Sequence, residues 1–94
     1  MTTIYSYKLC PYDIMHYITA PIVRPLGVFY QYGDPHFFAM VDTDRPAEEY
    51  IVCGVETFMD LDTVGIEISP DDYMNTTLDT LHWFCRKLIQ SGDM

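Results

Sequence analysis

Six side chains in this sequence could bind a metal or act as nucleophile and base: Cys10, His16, His36, Cys53, His82 and Cys85. Zinc sites are built from close pairs such as C-x2-4-C, and only His82-x-x-Cys85 approaches that spacing, with no second close pair to complete a tetrahedron. The expected reading is therefore core cysteines, surface histidines and no metal. A catalytic cysteine would need a neighbouring histidine and an electropositive setting that lowers its thiol pKa, whereas the acidic field of this chain raises it. Asp60-x-Asp62 and Asp71-Asp72 have the composition of an acid–base pair or a divalent-cation site. They lack the glycine-punctuated D-x-D-x-D-G spacing of a calcium loop, so solvated loops are expected. None of the glycines falls in a phosphate-cradling arrangement, and no cofactor is implied. The chain reads as non-enzymatic.

Charge is the stronger signal. The whole chain carries a formal net charge of −9. Between Asp34 and Asp79 there are twelve carboxylates against the single base Arg45, a net charge of −11. Such a field repels nucleic acid and membrane surfaces and attracts basic protein surfaces. The candidate partner-binding residues are Asp42, Asp44, Glu48 and Glu49 in a first acidic stretch, and Asp60, Asp62, Asp71 and Asp72 in a second. The alternative is that these loops only keep an aromatic-rich domain soluble.

The elements that must position these residues are short and β-like. Ninety-four residues make one domain, here 49% hydrophobic and 15% aromatic, well above the composition of a disordered chain. Thr3–Leu9 alternates as a first strand, and Ile14–Thr19 is a second, ended by Ala20-Pro21. Ile22–Leu26 reads as an irregular link, because Pro21 and Pro25 interrupt it. Val28–Tyr32 and His36–Val41 form a central hairpin hinged on Gly33-Asp34-Pro35. Asp42–Glu49 is a loop. Tyr50–Val55 is a strand in which Gly54 marks a bulge or a close backbone approach. Val64–Ile68 is a further strand candidate, and Ser69–Asp72 a turn.

Two readings compete for the C-terminal segment, and the pattern alone leans slightly to the helix. Leu78, Leu81, Phe84 or Cys85, and Leu88 recur at helical spacing with Thr76 or Thr77 available as N-cap. The same residues also alternate as a hairpin, Asn75–Leu78 and Leu81–Leu88, around an Asp79-Thr80 turn. The fold class expected is mainly β, a small single-domain antiparallel sheet, sandwich or barrel. The alternative is α+β with one C-terminal helix over about residues 76–90.

The N-terminus lacks a signal-peptide pattern, no run reaches the roughly 18–20 apolar residues of a membrane span, and the odd cysteine count argues for free thiols; an intracellular location is expected. Eight Tyr and five Phe are more than one sheet face can bury, so some aromatics should be exposed as contact anchors, with a homodimer left open.

Ile4-Tyr5-Ser6-Tyr7-Lys8-Leu9 and Gln31-Tyr32-Gly33-Asp34-Pro35-His36-Phe37-Phe38-Ala39-Met40-Val41-Asp42, followed by Pro46-Ala47-Glu48-Glu49, resemble a family of short uncharacterised phage and prophage proteins. The second stretch is similar to that family's Gln-x-Gly-x-Pro turn leading into an aromatic-Ala-Leu-Val-Asp strand. The resemblance covers roughly Ile4 to Gly54, with Ser6 and Lys8 standing where the family has lysine and proline. Leu81-His82-Trp83-Phe84 resembles its closing strand. What the resemblance implies is a compact antiparallel β domain from a mobile element, acting in the cytoplasm of a bacterial host. The expected function is a non-enzymatic inhibitor of host defence, of anti-CRISPR or anti-restriction type. It would bind a basic nucleic-acid-binding surface of a host protein complex without touching nucleic acid or membrane. An oligomeric sponge for a nucleotide-type signalling molecule and a virion or assembly accessory protein are the alternatives.

Overall fold

The alternation in Asp34–Asp42 becomes the middle strand of a three-stranded sheet. A computed structural model of the chain describes residues 1–64 and 68–88. Its strands are β1 (Thr2–Lys8), β2 (Met15–Ala20), β3 (Ile22–Gln31), β4 (Asp34–Asp42), β5 (Glu48–Glu56), β6 (Tyr73–Thr77) and β7 (Leu81–Lys87). Two antiparallel sheets form, ordered β1-β4-β3 and β2-β5-β7-β6. Along β4, Pro35, Phe37, Ala39 and Val41 are buried while the residues between them are half-buried on the opposite face. The period of two thus assigns one face of β4 to the core.

From the four-stranded sheet Ile18, Val52, Trp83 and Cys85 meet Val28, Phe37 and Val41 of the other sheet. Burying a side chain such as Phe37 stabilises the fold by roughly 2–3 kcal/mol relative to exposure. The outer face of the four-stranded sheet has its own smaller core, in which Met59, Leu61 and Ile68 pack on Cys53, Val55 and Phe84. The connection from β5 to β6 therefore lies over that face. It includes 3-10 turns at Leu61–Val64 and Pro70–Asp72. The strand expected over Val64–Ile68 lies largely outside the described residues.

Several expectations are corrected, among them the loop over Asp42–Glu49, of which Asp42 closes β4 while Glu48 and Glu49 open β5. Ile22–Leu26 is not a link but the first half of β3, and register shifts between Ile22 and Arg24 and between Pro25 and Gly27 absorb it. Proline is tolerated there because β3 lies at the end of its sheet's strand order and carries bulges. Pro21 is the corner at which one long stretch leaves one sheet and enters the other; its carbonyl accepts the Asp42 N–H at 3.0 Å. The central hairpin turns one residue earlier than expected. Gln31 faces Asp34 across Tyr32-Gly33, whose φ angles of +53° and +84° suit a tight type I′ turn, and Asp34-Pro35 already belong to β4.

The C-terminal segment is a hairpin, and the helical alternative over 76–90 does not form within the described residues. Trp83 and Cys85 point into the main core two residues apart, the period of a strand. Leu78 and Asp79 make the turn at φ +53° and +62°, with the Thr80 N–H on the Thr77 carbonyl at 3.3 Å. Gly54 is a close approach, as one of its two readings required. A Cβ there would stand 3.1 Å from the Trp83 ring and 3.2 Å from Leu81.

The two sheets meet where β3 runs beside β6. The Asn75 side chain donates to the Val28 carbonyl at 2.8 Å and accepts the Val28 N–H at 2.9 Å, replacing a missing strand pair with one amide. Val28 is fully buried, so without Asn75 both backbone groups would be orphaned. Gly27, at φ +151°, leaves room for this amide, since a Cβ would lie 2.9 Å from the Asn75 oxygen. Among the described residues no helix is long and apolar enough to cross a membrane.

Candidate interaction surface

The eight candidate carboxylates do not form one patch. Glu48 and Glu56 bound β5, and eight steps of about 3.3 Å separate its ends by roughly 26 Å. Asp42, Asp44, Glu48 and Glu49 lie at the Glu48 end. Asp60 and Asp62 follow the Glu56 end. Asp71 and Asp72 sit beyond β7, in the turn that enters β6.

At the Glu48 end the carboxylates stand among cations. The Met1 ammonium reaches Asp42 at 3.1 Å and also contacts Asp44, whose own N–H donates to Asp42 at 3.0 Å. The Asp44 N–H first, and then that ammonium, hold the Asp42 carboxyl below its ordinary value. The ammonium is raised by Asp44 and then Asp42. Lys87 pairs with Glu48, which raises the lysine. Arg45 lies in the same loop, its N–H on the Asp42 carbonyl at 3.1 Å.

Asp72 is used by its own turn. It accepts the Ser69 N–H at 2.9 Å while the Ser69 hydroxyl accepts from Asp71, a capping box, and it lies 3.8 Å from the Arg86 guanidinium. Beside it a cleft of about 390 Å³ opens between β3 and β6, lined by Arg24, Pro25, Leu26, Asp71, Asp72, Tyr73, Met74 and Cys85. Asp60 accepts the Asp62 N–H at 3.0 Å, a local turn contact.

At the Glu56 end three connections converge. The Gly54 N–H bonds the Ile14 carbonyl at 2.8 Å, bringing the segment before β2 to β5, and the Thr57 N–H bonds the Thr80 carbonyl at 2.9 Å, bringing the turn after β5 to the β6–β7 turn. Tyr12, Phe58 and Leu78 project from these segments, at 91%, 103% and 69% exposure. Asp13, Glu56 and Asp79, in the same segments, are exposed as well. None of the chain's five bases is in these segments. Sequence reasoning singled out none of Tyr12, Phe58 and Leu78 individually. Only the surplus of aromatics pointed this way, and an apolar residue in a turn carries no periodic signal.

A hydroxyl–imidazole network ties this end together. His82 Nε2 lies 2.8 Å from Thr57 Oγ1 and His82 Nδ1 lies 2.8 Å from Thr76 Oγ1, which is 2.8 Å from the Tyr73 hydroxyl. The Thr57 hydroxyl also lies 3.3 Å from the Thr80 carbonyl, and in either neutral tautomer the ring donates to one hydroxyl and accepts from the other. The ring fastens the Thr57 turn to β6. Cys53 and Cys85 are poorly placed as nucleophiles at neutral pH. Burial first, and Asp72 second, push the Cys53 thiol up to about 11 and the Cys85 thiol up to about 12. Cys10 is exposed. Among the described residues no three His, Cys, Asp or Glu side chains converge to hold a metal ion.

No family model, curated protein or solved structure matches this chain.

Proposed function

We propose that this protein is a non-enzymatic inhibitor of phage origin that acts in the bacterial cytoplasm on a host defence complex, of anti-CRISPR or anti-restriction type. It binds a basic surface that the complex uses for nucleic acid. The observation that carries this reading is the unbalanced negative surface. Of five bases, Lys8 is engaged by Asp34 at 3.3 Å, Arg86 lies by Asp72 and Lys87 by Glu48, while Glu49, Glu56, Asp62, Asp71 and Asp79 form no ion pair among the described residues. Exposed aromatics beside such carboxylates suit a protein contact better than a nucleic-acid contact. The resemblance of Ile4–Gly54 to short phage proteins supplies the setting.

The test is competition. Purified CRISPR or restriction effectors from a susceptible host are titrated with the protein while binding of their cognate DNA is followed. Loss of DNA binding that weakens steeply with added salt is expected. Effectors that keep their DNA at saturating protein, together with unchanged plaque counts in hosts carrying those systems, overturn the reading.

The cleft at the sheet seam favours a second reading, a sponge for a nucleotide-type signal. Its volume is within the range of small-molecule sites, and Arg24 and Tyr73 supply a cation and a stacking ring. Asp71 and Asp72 on its wall oppose an anionic ligand. Thermal stabilisation by a cyclic nucleotide would favour it, and a flat response across a panel would discard it.

A further inference from the structure

Phe58 and Leu78 sit where local physics disfavours them. Both have left-handed backbone, φ +73° and +53°, which suits glycine or asparagine, and both expose large apolar side chains to water. Their two turns are joined by the Thr57–Thr80 hydrogen bond and fastened to β6 through His82, so the backbone that presents both side chains is anchored. Tyr12, exposed to solvent, lies two residues before Ile14, whose carbonyl accepts the Gly54 N–H of β5. Holding contact groups in place before binding lowers the ordering entropy that association must overcome.

We infer that this end of the four-stranded sheet, built from the Tyr12–Ile14 segment, the Thr57–Met59 turn and the Leu78–Thr80 turn, is the docking surface, and that its occupant is a protein surface with apolar pockets set between cations. This rests on the function proposed above and moves its interface away from Asp42–Glu49. The occupant follows from charge. Glu56 and Asp79, exposed in the same two turns, flank the apolar side chains and no base lies in the three segments, so a second copy applied here would set carboxylate against carboxylate, whereas a basic partner is attracted. At the Asp42–Glu49 corner, by contrast, Met1 and Lys87 already engage Asp42, Asp44 and Glu48, leaving Glu49 alone without an ion pair among the described residues.

The experiment is an NMR titration of the isotope-labelled protein with a synthetic peptide of alternating arginine and leucine, and with oligoarginine of equal length. It is repeated on the double variant Phe58→Asn, Leu78→Asn. Amide shifts confined to Asp13–Ile14, Glu56–Met59 and Leu78–Thr80 are expected, with oligoarginine binding more weakly. Asparagine tolerates the left-handed region, so the double variant should melt at the same or a higher temperature while losing about tenfold in peptide affinity. Unchanged affinity in that variant overturns the inference. So does a shift map centred on Asp42–Glu49, which leaves the proposed function standing. Saturable binding of neither peptide overturns the inference, while the proposed function is decided by the effector competition above. Self-association that disappears in the double variant reassigns this end to a second copy and also overturns the inference.

Discussion

At the Glu48 end of β5 acidic side chains stand among an ammonium, a lysine and an arginine, whereas at the Glu56 end they stand among exposed aromatic and aliphatic side chains with no base between them. The two ends look alike as sequence, each a short run rich in Asp and Glu. They differ in what the fold brings to them. The chain's last described basic pair, Arg86 and Lys87, returns along β7 to the Glu48 end because β7 runs antiparallel to β5 with Tyr50 opposite Lys87. The same pairing sets Leu81 opposite Glu56, so the turn that precedes β7 delivers Leu78 and Asp79 to the other end. Counting carboxylates along a chain therefore says less about a binding surface than asking which cations the strand register returns to them.

The largest predicted effect removes the frame that both ends share. Asn75→Leu leaves the buried Val28 N–H and carbonyl without partners, and a loss of about 3 kcal/mol is expected in a denaturant melt, enough to degrade both ends together. A smaller effect separates them. Gly54→Ala drives a Cβ against Trp83 and Leu81, costing about 1–2 kcal/mol, and amide shifts should spread around Glu56 and Leu81 while Asp42–Glu49 keeps its spectrum.

Thiol chemistry sharpens the same contrast. At neutral pH iodoacetamide should label Cys10 alone in the native protein, since Cys53 and Cys85 are buried and titrate at about 11 and about 12. These raised values stabilise the fold fully below the ordinary thiol value of 9.0 and lose that contribution as pH climbs through the folded values, so melting temperature should fall in alkali. A Cys10 adduct, placed two residues before Tyr12, should weaken peptide binding without disturbing the Glu48 end.

The smallest effects belong to the ion-paired corner. Lys87→Met removes a solvent-exposed pair and should leave the denaturant midpoint unchanged within error. The contact between Met1, Asp42 and Asp44 should hold between the ordinary values of 3.8 and 8.0. It is lost below that window as Asp42, whose pKa is lowered, takes up a proton, and above it as the Met1 ammonium, whose pKa is raised, gives one up. The Asp44 amide shift, followed against pH, reports both losses.

Much of the fold was legible locally. The alternation of β4, the hairpin it makes with β3, the strand Tyr50–Val55 and the special role of Gly54 all follow from residue type and period. What misled were residues whose local preference was outvoted. Pro25 argues for a link, yet bulges at the end of the sheet accommodate it. Leu78 argues for a helix or strand interior, yet it turns the chain with left-handed backbone because Trp83 and Cys85 must both reach the core. For the candidate surface the surplus of acid and aromatics was readable, while its location was not, since ion pairing and exposure are set by which strands lie side by side.

By itself the sequence determined the class of the molecule: a single β-rich domain, strongly acidic, with more aromatics than it can bury. Those are sums over residues and short periods, and they need no knowledge of long-range contacts. Only the tertiary structure decided which carboxylates are countered and which stand open. That is settled by strand register and by a corner at Pro21, contacts between residues tens of positions apart, and no local pattern encodes them.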